Sequence, residues 1–206
     1  MNEKMDMPEE QQKKPAVSDK LKGILWEIYE LVEVVATVTI IVMLGFSFLG
    51  RLNIVEGQSM DKTLEQGQYL FISDLLYEPT PGDIVVVHDV TAYPYNDPIV
   101  KRVIATGGQS VEIDFNTWTL KVDGKVVEEP YRFLDPQYST LRAEYNMGLD
   151  GIFHITVPEN EIFVMGDNRN ASGDSRQKEI GTIDKRCVVG KAYFRLFPMD
   201  DFGLLD

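Results

Sequence analysis

The chain has 206 residues, of which 44% are hydrophobic and 26% are charged, a composition typical of one globular domain with an addition such as an anchor. Its formal net charge of −13 argues against nucleic acid as a partner, because no basic face is available to displace counterions from phosphate. The chain has a single cysteine, which excludes an intrachain disulfide. Its two histidines are far apart in sequence, which argues against a zinc site or a Ser-His-Asp triad. We therefore expect no metal and no cofactor, and any serine nucleophile needs a base other than histidine.

The first element in chain order is a polar tail that leads into a long apolar helix. Residues 1–22 hold five lysines and five acidic residues and are predicted to be a disordered tail. Residues 34–50 contain no charge, and the apolar run extends upstream to Ile24, so at about 1.5 Å per residue it is long enough to cross a bilayer. Its apolar surface on all sides disfavours a buried core helix, and its length without a following Ala-x-Ala site disfavours a cleaved signal peptide. Residues 23–50 are therefore predicted to be a single transmembrane anchor.

The charges that flank this anchor predict its orientation. Five lysines precede the apolar run and Arg51 alone follows it closely, which places the N-terminus in the cytoplasm and residues 51–206 outside the cell membrane. Ser59 lies eight residues beyond Arg51, at most roughly 28 Å of extended chain from the bilayer surface.

The rest of the chain alternates short apolar runs with turn signals and shows no helical periodicity, which predicts a mainly β domain. The clearest hairpin has Asp123-Gly124 at its turn. Residues 128–156 are more polar and are predicted to be an excursion from the core. The predicted strands are residues 69–73, 84–87, 99–105, 119–122, 126–127, 162–165 and 188–194.

One of these strands carries two adjacent cations, Lys101 and Arg102. Both faces of residues 99–105 are mostly apolar, so one cation must be desolvated or specifically paired. Arginine keeps its proton in proteins, whereas a buried lysine can lose it. Free lysine titrates near pH 10.4, and apolar burial can supply the lowering of about three pH units that a base for serine needs. Taken alone, Ser59 is more often a loop hydroxyl, and Lys101 is as well explained as a lysine that snorkels at a strand end.

A polar loop, Gly-Asp-Asn-Arg-Asn-Ala-Ser-Gly-Asp-Ser-Arg, spans residues 166–176. Its Ser172 supplies a hydroxyl of the kind that can orient a neutral amine. For Asp174 and Arg176 we favour a structural ion pair that holds Ser172 in place.

Four segments in this order resemble bacterial type I signal peptidases: residues 57–64 (GQSMDKTL), 82–87 (GDIVVV), 101–104 (KRVI) and 166–176. The resemblance runs from the anchor to Phe197. It implies that Ser59 is the nucleophile and Lys101 its general base, with Ser172 beside the lysine amine. It also implies the remaining site roles: structural support from Asp174 and Arg176, an oxyanion hole at the Ser59 backbone and the Gly57 region, and substrate contacts from Gln58 and Met60.

The same resemblance implies the fold and the activity. The expected fold is a transmembrane helix followed by a twisted antiparallel β core with a smaller β extension at about 113–159, as in signal peptidases and Ser/Lys repressors. The expected reaction is endopeptidase cleavage of signal peptides from exported precursors, after small residues at the −1 and −3 positions. The expected partners are these signal peptides and the lipid bilayer.

The chain departs from the family pattern at four positions. Lys62 stands where the family usually has proline, and a proline there is expected to be tolerated because it pre-sets a turn. Ala105, Gly107 and Gln109 replace the glycine, proline and aspartate that usually follow the Lys-Arg pair, which affects the expected substrate preference and rate.

Two alternatives remain open. A self-cleaving Ser/Lys repressor shares the Ser/Lys pair but needs a DNA-binding helical domain where this chain has an apolar span. A catalytically weak or dedicated homologue, acting on a restricted set of secreted or pilus precursors, is motivated by Lys62 and opposed by the intact Ser59, Lys101 and Ser172.

Overall fold

The protein is seen here in a computed structural model that describes residues 17–88, 97–137 and 148–205. It divides into two compact units, Met1–Phe46 and Ser47–Asp206. The first unit consists, where described, of most of helix α1 (Val17–Leu49). The predicted apolar helix is confirmed, but it begins six residues before position 23. Residues 1–16 of the predicted tail lie outside the described residues.

Helix α1 is apolar along most of its length. Within its segment Lys20–Gly45, an 18-residue window reaches a mean hydropathy of 2.0, and none of that window is buried. A helix of this length and composition can cross a bilayer.

The second unit is built from β-strands, and its predicted mainly β architecture is confirmed. Eight strands form the larger sheet in the order β1-β2-β11-β3-β4-β9-β10, with β12 beside β11, and all their pairings are antiparallel. The strands of this sheet are β1 (Arg51–Ile54), β2 (Tyr69–Ser73), β3 (Ile84–Val87), β4 (Ile99–Thr106), β9 (Glu161–Met165), β10 (Ile183–Asp184), β11 (Val188–Phe197) and β12 (Gly203–Leu204).

A smaller antiparallel sheet has the order β7-β6-β5-β8. Its strands are β5 (Ser110–Asp114), β6 (Thr119–Val122), β7 (Lys125–Val126) and β8 (Ile152–Thr156). The predicted hairpin between β6 and β7 is confirmed, with Asp123 and Gly124 at φ 50° and 75°, the positive angles that a tight hairpin turn requires. Strands β1, β5, β8, β10 and β12 were not predicted from the sequence. Residues 138–147 of the predicted excursion lie outside the described residues.

The two adjacent cations, Lys101 and Arg102, lie at the centre of the larger sheet. All four residues of β3 are buried, as are positions 100–105 of the neighbouring β4. Because β4 is buried on both faces, Lys101 and Arg102 lie in the interior at 3% exposure each.

Candidate active site

Ser59 lies in the loop between β1 and β2. The backbone N–H of Leu64 donates to the Met60 carbonyl over 2.7 Å, which closes a tight turn after the serine. Met60 and Leu64 are 1% and 0% exposed and pack in the core, whereas Ser59 stays partly exposed. The Ser59 hydroxyl is therefore accessible, on a loop that the buried side chains of Met60 and Leu64 fix to the core.

Lys101 points its amine at this hydroxyl. Its Nζ donates to Ser59 Oγ over 2.7 Å and to the Val100 carbonyl over 2.9 Å. Burial lowers the pKa of Lys101 from 10.5 to about 8, and this effect outweighs the nearby charge of Asp174, which raises it. The amine thus loses its proton near pH 8 while it touches a serine hydroxyl, which is the arrangement that a general base needs.

Arg102, the second cation of β4, is buried in an ion pair with Asp167. It makes a bidentate bond to Asp167, with Nε–Oδ1 2.9 Å and Nη2–Oδ2 2.8 Å, and its guanidinium lies 4.0 Å from the Tyr131 ring centroid. Asp167 also accepts from Thr63 Oγ1 over 2.6 Å. One buried carboxylate therefore ties the lysine strand to the loop that carries Ser59.

Ser172, Asp174 and Arg176 form a fully buried cluster. Ser172 Oγ donates to Asp174 Oδ2 over 2.6 Å, and Arg176 binds the same carboxylate through Nε and Nη2, each at 2.8 Å. Burial alone would raise the pKa of Asp174, but Arg176 and the hydrogen bonds from Ser172 and Gly166 outweigh it and lower the pKa. Ser172 was expected beside the Lys101 amine; within the described residues, the hydrogen bonds of that amine go to Ser59 and Val100.

Gly166 joins this cluster to the nucleophile loop. Its N–H donates to Asp174 over 3.0 Å, and a Cβ at this position would lie 2.4 Å from both Ser172 Oγ and the Ser59 carbonyl. Only glycine allows so close an approach. Sequence reasoning assigned no role to Gly166 or to the Arg102–Asp167 pair, although the placement of two cations on a buried strand signalled the need for a partner.

The remaining predicted site residues lie around Ser59. Gly57 has φ 81° and is exposed, as is Gln58, whereas Met60 is buried in the core. In the part of the chain that the structure describes, the Ser59 backbone N–H has no hydrogen-bond acceptor.

Comparison with known proteins shows the family to which the chain belongs. Residues 28–197 match the family described as "Signal peptidase, peptidase S26". The chain belongs to this family. It is 33% identical over 189 residues to a probable signal peptidase I-1 of Synechocystis, covering 87% of this chain and 88% of the relative. It is 36% identical over 183 residues to signal peptidase I of Bacillus licheniformis, covering 87% and 94%, and 32% identical over 190 residues to signal peptidase IB of Staphylococcus aureus, covering 85% and 93%.

The predicted resemblance to type I signal peptidases is thus confirmed. A crystal structure of a signal peptidase I from Enterococcus faecalis covers 56% of this chain and 97% of its own, at 28% identity and a TM-score of 0.40. The assignment rests on the sequence matches. As a member of a peptidase family the chain is an endopeptidase, and the alternative of a catalytically weak or dedicated homologue is not favoured.

The structure corrects one expectation about the departure from the family pattern at Lys62. This residue has φ 76°, a left-handed conformation that proline, fixed near about −65°, does not adopt. A proline at this position is therefore incompatible with the observed loop, and the expected tolerance of Lys62→Pro is wrong. The lysine Nζ lies 5.2 Å from the Phe133 ring centroid, a cation–π contact that links the loop to residues 129–135.

The other three departures lie at the end of β4 and in the turn to β5. Gln109 Oε1 accepts from the Thr106 backbone N–H over 2.9 Å, which is the turn-closing bond that an aspartate often makes. A Cβ on Gly107 would lie 2.1 Å from the Glu159 carbonyl, so this turn leaves no room for a proline. Ala105 is fully buried.

Proposed function

We propose that this protein is a membrane-bound serine endopeptidase that removes N-terminal signal peptides from exported precursors, with Ser59 as nucleophile and Lys101 as general base. The observation that carries the proposal is the 2.7 Å contact between Lys101 Nζ and Ser59 Oγ, made by a lysine that is 3% exposed. The names of the relatives support the substrate class.

Acylation begins with neutral Lys101. Its Nζ takes the proton of Ser59 as Oγ forms a bond to the scissile carbonyl carbon, and the carbonyl electron pair moves onto oxygen. The Ser59 backbone N–H stabilises this oxyanion. When the tetrahedral intermediate collapses, the carbon–nitrogen bond breaks and protonated Lys101 gives its proton to the leaving amine. That amine is the new N-terminus of the exported protein, and the signal peptide remains as an ester on Ser59.

Deacylation repeats these steps with water. Lys101 takes a proton from the water molecule whose oxygen attacks the ester carbonyl, and then returns the proton to Ser59 Oγ as the signal peptide leaves. Asp167 and Arg102 hold the lysine strand and the serine loop together through both half-reactions.

Helix α1 supports the membrane-bound part of the proposal. The apolar segment Lys20–Gly45 is long enough to span a bilayer, and the flanking lysines favour a cytoplasmic N-terminus. A site that follows the anchor by only a few residues suits a substrate whose cleavage point lies just beyond its own apolar segment.

The decisive experiment is precursor cleavage by the full chain in detergent. Ser59→Ala should abolish cleavage, and Lys101→Arg should do the same because guanidinium cannot accept the serine proton. The matched controls are Ser110→Ala and Lys125→Arg, which change exposed residues of the smaller sheet. Cleavage that persists in folded Ser59→Ala or Lys101→Arg protein would refute the proposed mechanism.

A further inference from the structure

Asn168 holds two consecutive carbonyl groups of the nucleophile loop. Its backbone N–H donates to the Ser59 carbonyl and its side-chain Nδ2 donates to the Gln58 carbonyl, each over 3.0 Å. The residue is 0% exposed and lies beside Phe133 in an isolated parallel bridge. Substitution of Asn168 removes the bond from Nδ2 to the Gln58 carbonyl and leaves the backbone bond to the Ser59 carbonyl in place.

The Gln58 carbonyl belongs to the same peptide group as the Ser59 N–H. A trans peptide is planar, so these two bonds point in opposite directions. A donor that fixes the carbonyl therefore also fixes the direction of the N–H. The Asp61 backbone N–H also donates to the Gln58 carbonyl, over a longer 3.2 Å, so Asn168 Nδ2 is the side-chain donor among the two that fix this peptide group.

Of the two polar atoms of the Asn168 side-chain amide, only Nδ2 makes a described hydrogen bond. Its Oδ1 is buried and accepts no hydrogen bond from the residues that the structure describes. A buried acceptor without a partner destabilises a fold, and a leucine of similar volume would avoid that cost. The hydrogen bond from Nδ2 to the Gln58 carbonyl therefore explains why an asparagine, and not a leucine, occupies this position.

We propose that Asn168 is a positioning residue that aims the Ser59 backbone N–H at the oxyanion, an inference that rests on the function proposed above. Its neighbour Asp167 has a different task, because Asp167 binds Thr63 and Arg102 and so sets the spacing between loop and lysine strand. Asn168 thus acts on the oxyanion and leaves the base unchanged.

The test compares Asn168→Ala and Asn168→Leu with Asn170→Ala in the full chain in detergent. Asn170 is an equally buried asparagine of the same loop, but its described side-chain bonds go to Asp135. We measure kcat and KM for a precursor, thermal unfolding, the pH profile, and inhibition by a peptide aldehyde ending in alanine. Ser59 Oγ adds to the aldehyde carbon, so the aldehyde oxygen comes to lie where the oxyanion forms.

Both Asn168 variants should lower kcat by about 10- to 100-fold, less than or equal to the loss of an oxyanion donor itself. KM should stay within about twofold, aldehyde inhibition should weaken by about the same factor as kcat, and the pH midpoint of kcat/KM should not move. Asn168→Leu keeps the side-chain volume, so it separates this effect from loss of folding. Asn170→Ala should leave aldehyde inhibition unchanged.

Unchanged kcat and aldehyde inhibition in folded Asn168→Leu would overturn the inference. A shifted pH midpoint with unchanged aldehyde inhibition would also overturn it, because Asn168 would then act on Lys101. Equal losses of kcat and of aldehyde inhibition in Asn170→Ala would overturn it as well, because both asparagines would then act only by supporting the loop. Wild-type protein that cleaves no precursor would instead overturn the proposed function.

Discussion

Lys101 is the residue whose environment makes the most direct kinetic prediction. Burial lowers its pKa to about 8, and only the neutral amine can accept the Ser59 proton. We therefore expect kcat/KM of the wild-type enzyme to rise about tenfold per pH unit below pH 8 and to level off above it. Stopped precursor-cleavage reactions between pH 6 and 10 measure this. A flat profile over that range would mean that another group takes the proton.

Lys62 shows how one backbone angle decides the outcome of a substitution. Its φ of 76° is accessible to glycine and closed to proline. Lys62→Pro should distort the loop that carries Ser59 and reduce precursor cleavage by at least about tenfold, whereas Lys62→Gly should keep most of it. Cleavage rates and thermal unfolding of the two variants are compared side by side. A stable, fully active Lys62→Pro enzyme would contradict the left-handed conformation.

At the scale of elements, the site depends on how closely the loop after β9 crosses the loop before β2. Gly166 makes the crossing possible, since a Cβ there would lie 2.4 Å from the Ser59 carbonyl and from Ser172 Oγ. Gly166→Ala should lower stability by about 1–3 kcal/mol and cleavage by at least about tenfold, because the serine must move away from Lys101. Gly203→Ala is the matched control, because nothing lies within 4 Å of a Cβ at that glycine. If Gly166→Ala retains wild-type cleavage, the contact between the two loops is not needed for the reaction.

The strands that the sequence predicts well are those whose local pattern is sufficient. Residues 84–87 and 69–73 match β3 and β2 residue for residue, since continuous or aromatic-rich apolar runs between turn signals are typical of strands. Strand β5 has only two apolar side chains among five, and its burial alternates with polar residues. Besides β6, it pairs with β8, whose partner positions lie 38 to 46 residues away along the chain. Local patterns do not report such distant partners, so β5 and β8 were missed.

The same distinction applies to the site. The candidates Ser59, Lys101 and the 166–176 loop came from the resemblance of the ordered segments to a known family, since neither Ser59 nor Lys101 is decisive when taken alone. The contacts of Asp167 with Thr63 and Arg102, and of Asn168 with Gln58, join residues that are far apart in sequence. These contacts exist only once the sheet has brought β4, β9 and the serine loop together.

At the scale of the whole molecule, several charged side chains lie in the domain interior at 3% exposure or less. Lone buried charges are costly, and all but one of these groups make a short hydrogen-bonded ion pair with an opposite charge. Lys101 is the exception, because its amine contacts a hydroxyl and a carbonyl. The groups at 3% exposure or less include Lys101, Arg102, Asp167, Arg169, Asp174 and Arg176.

Lys101 therefore destabilises the folded protein in a way that depends on pH. Its pKa is 10.5 when unfolded and about 8 when folded, so between these values the unfolded state binds more protons and the free energy of unfolding rises with pH. The cost is about 3 kcal/mol below pH 8 and vanishes above pH 10.5. Lys101→Met should inactivate the enzyme, yet be at least as stable as wild type at pH 7, with an advantage that shrinks between pH 8 and 10.5. Urea unfolding of both proteins across this range measures the difference, with exposed Lys125→Met as the control for loss of a lysine. A difference that stays constant from pH 7 to 10.5 would show that Lys101 holds its proton equally in the folded and unfolded states, and a base that does so cannot activate Ser59 near pH 8.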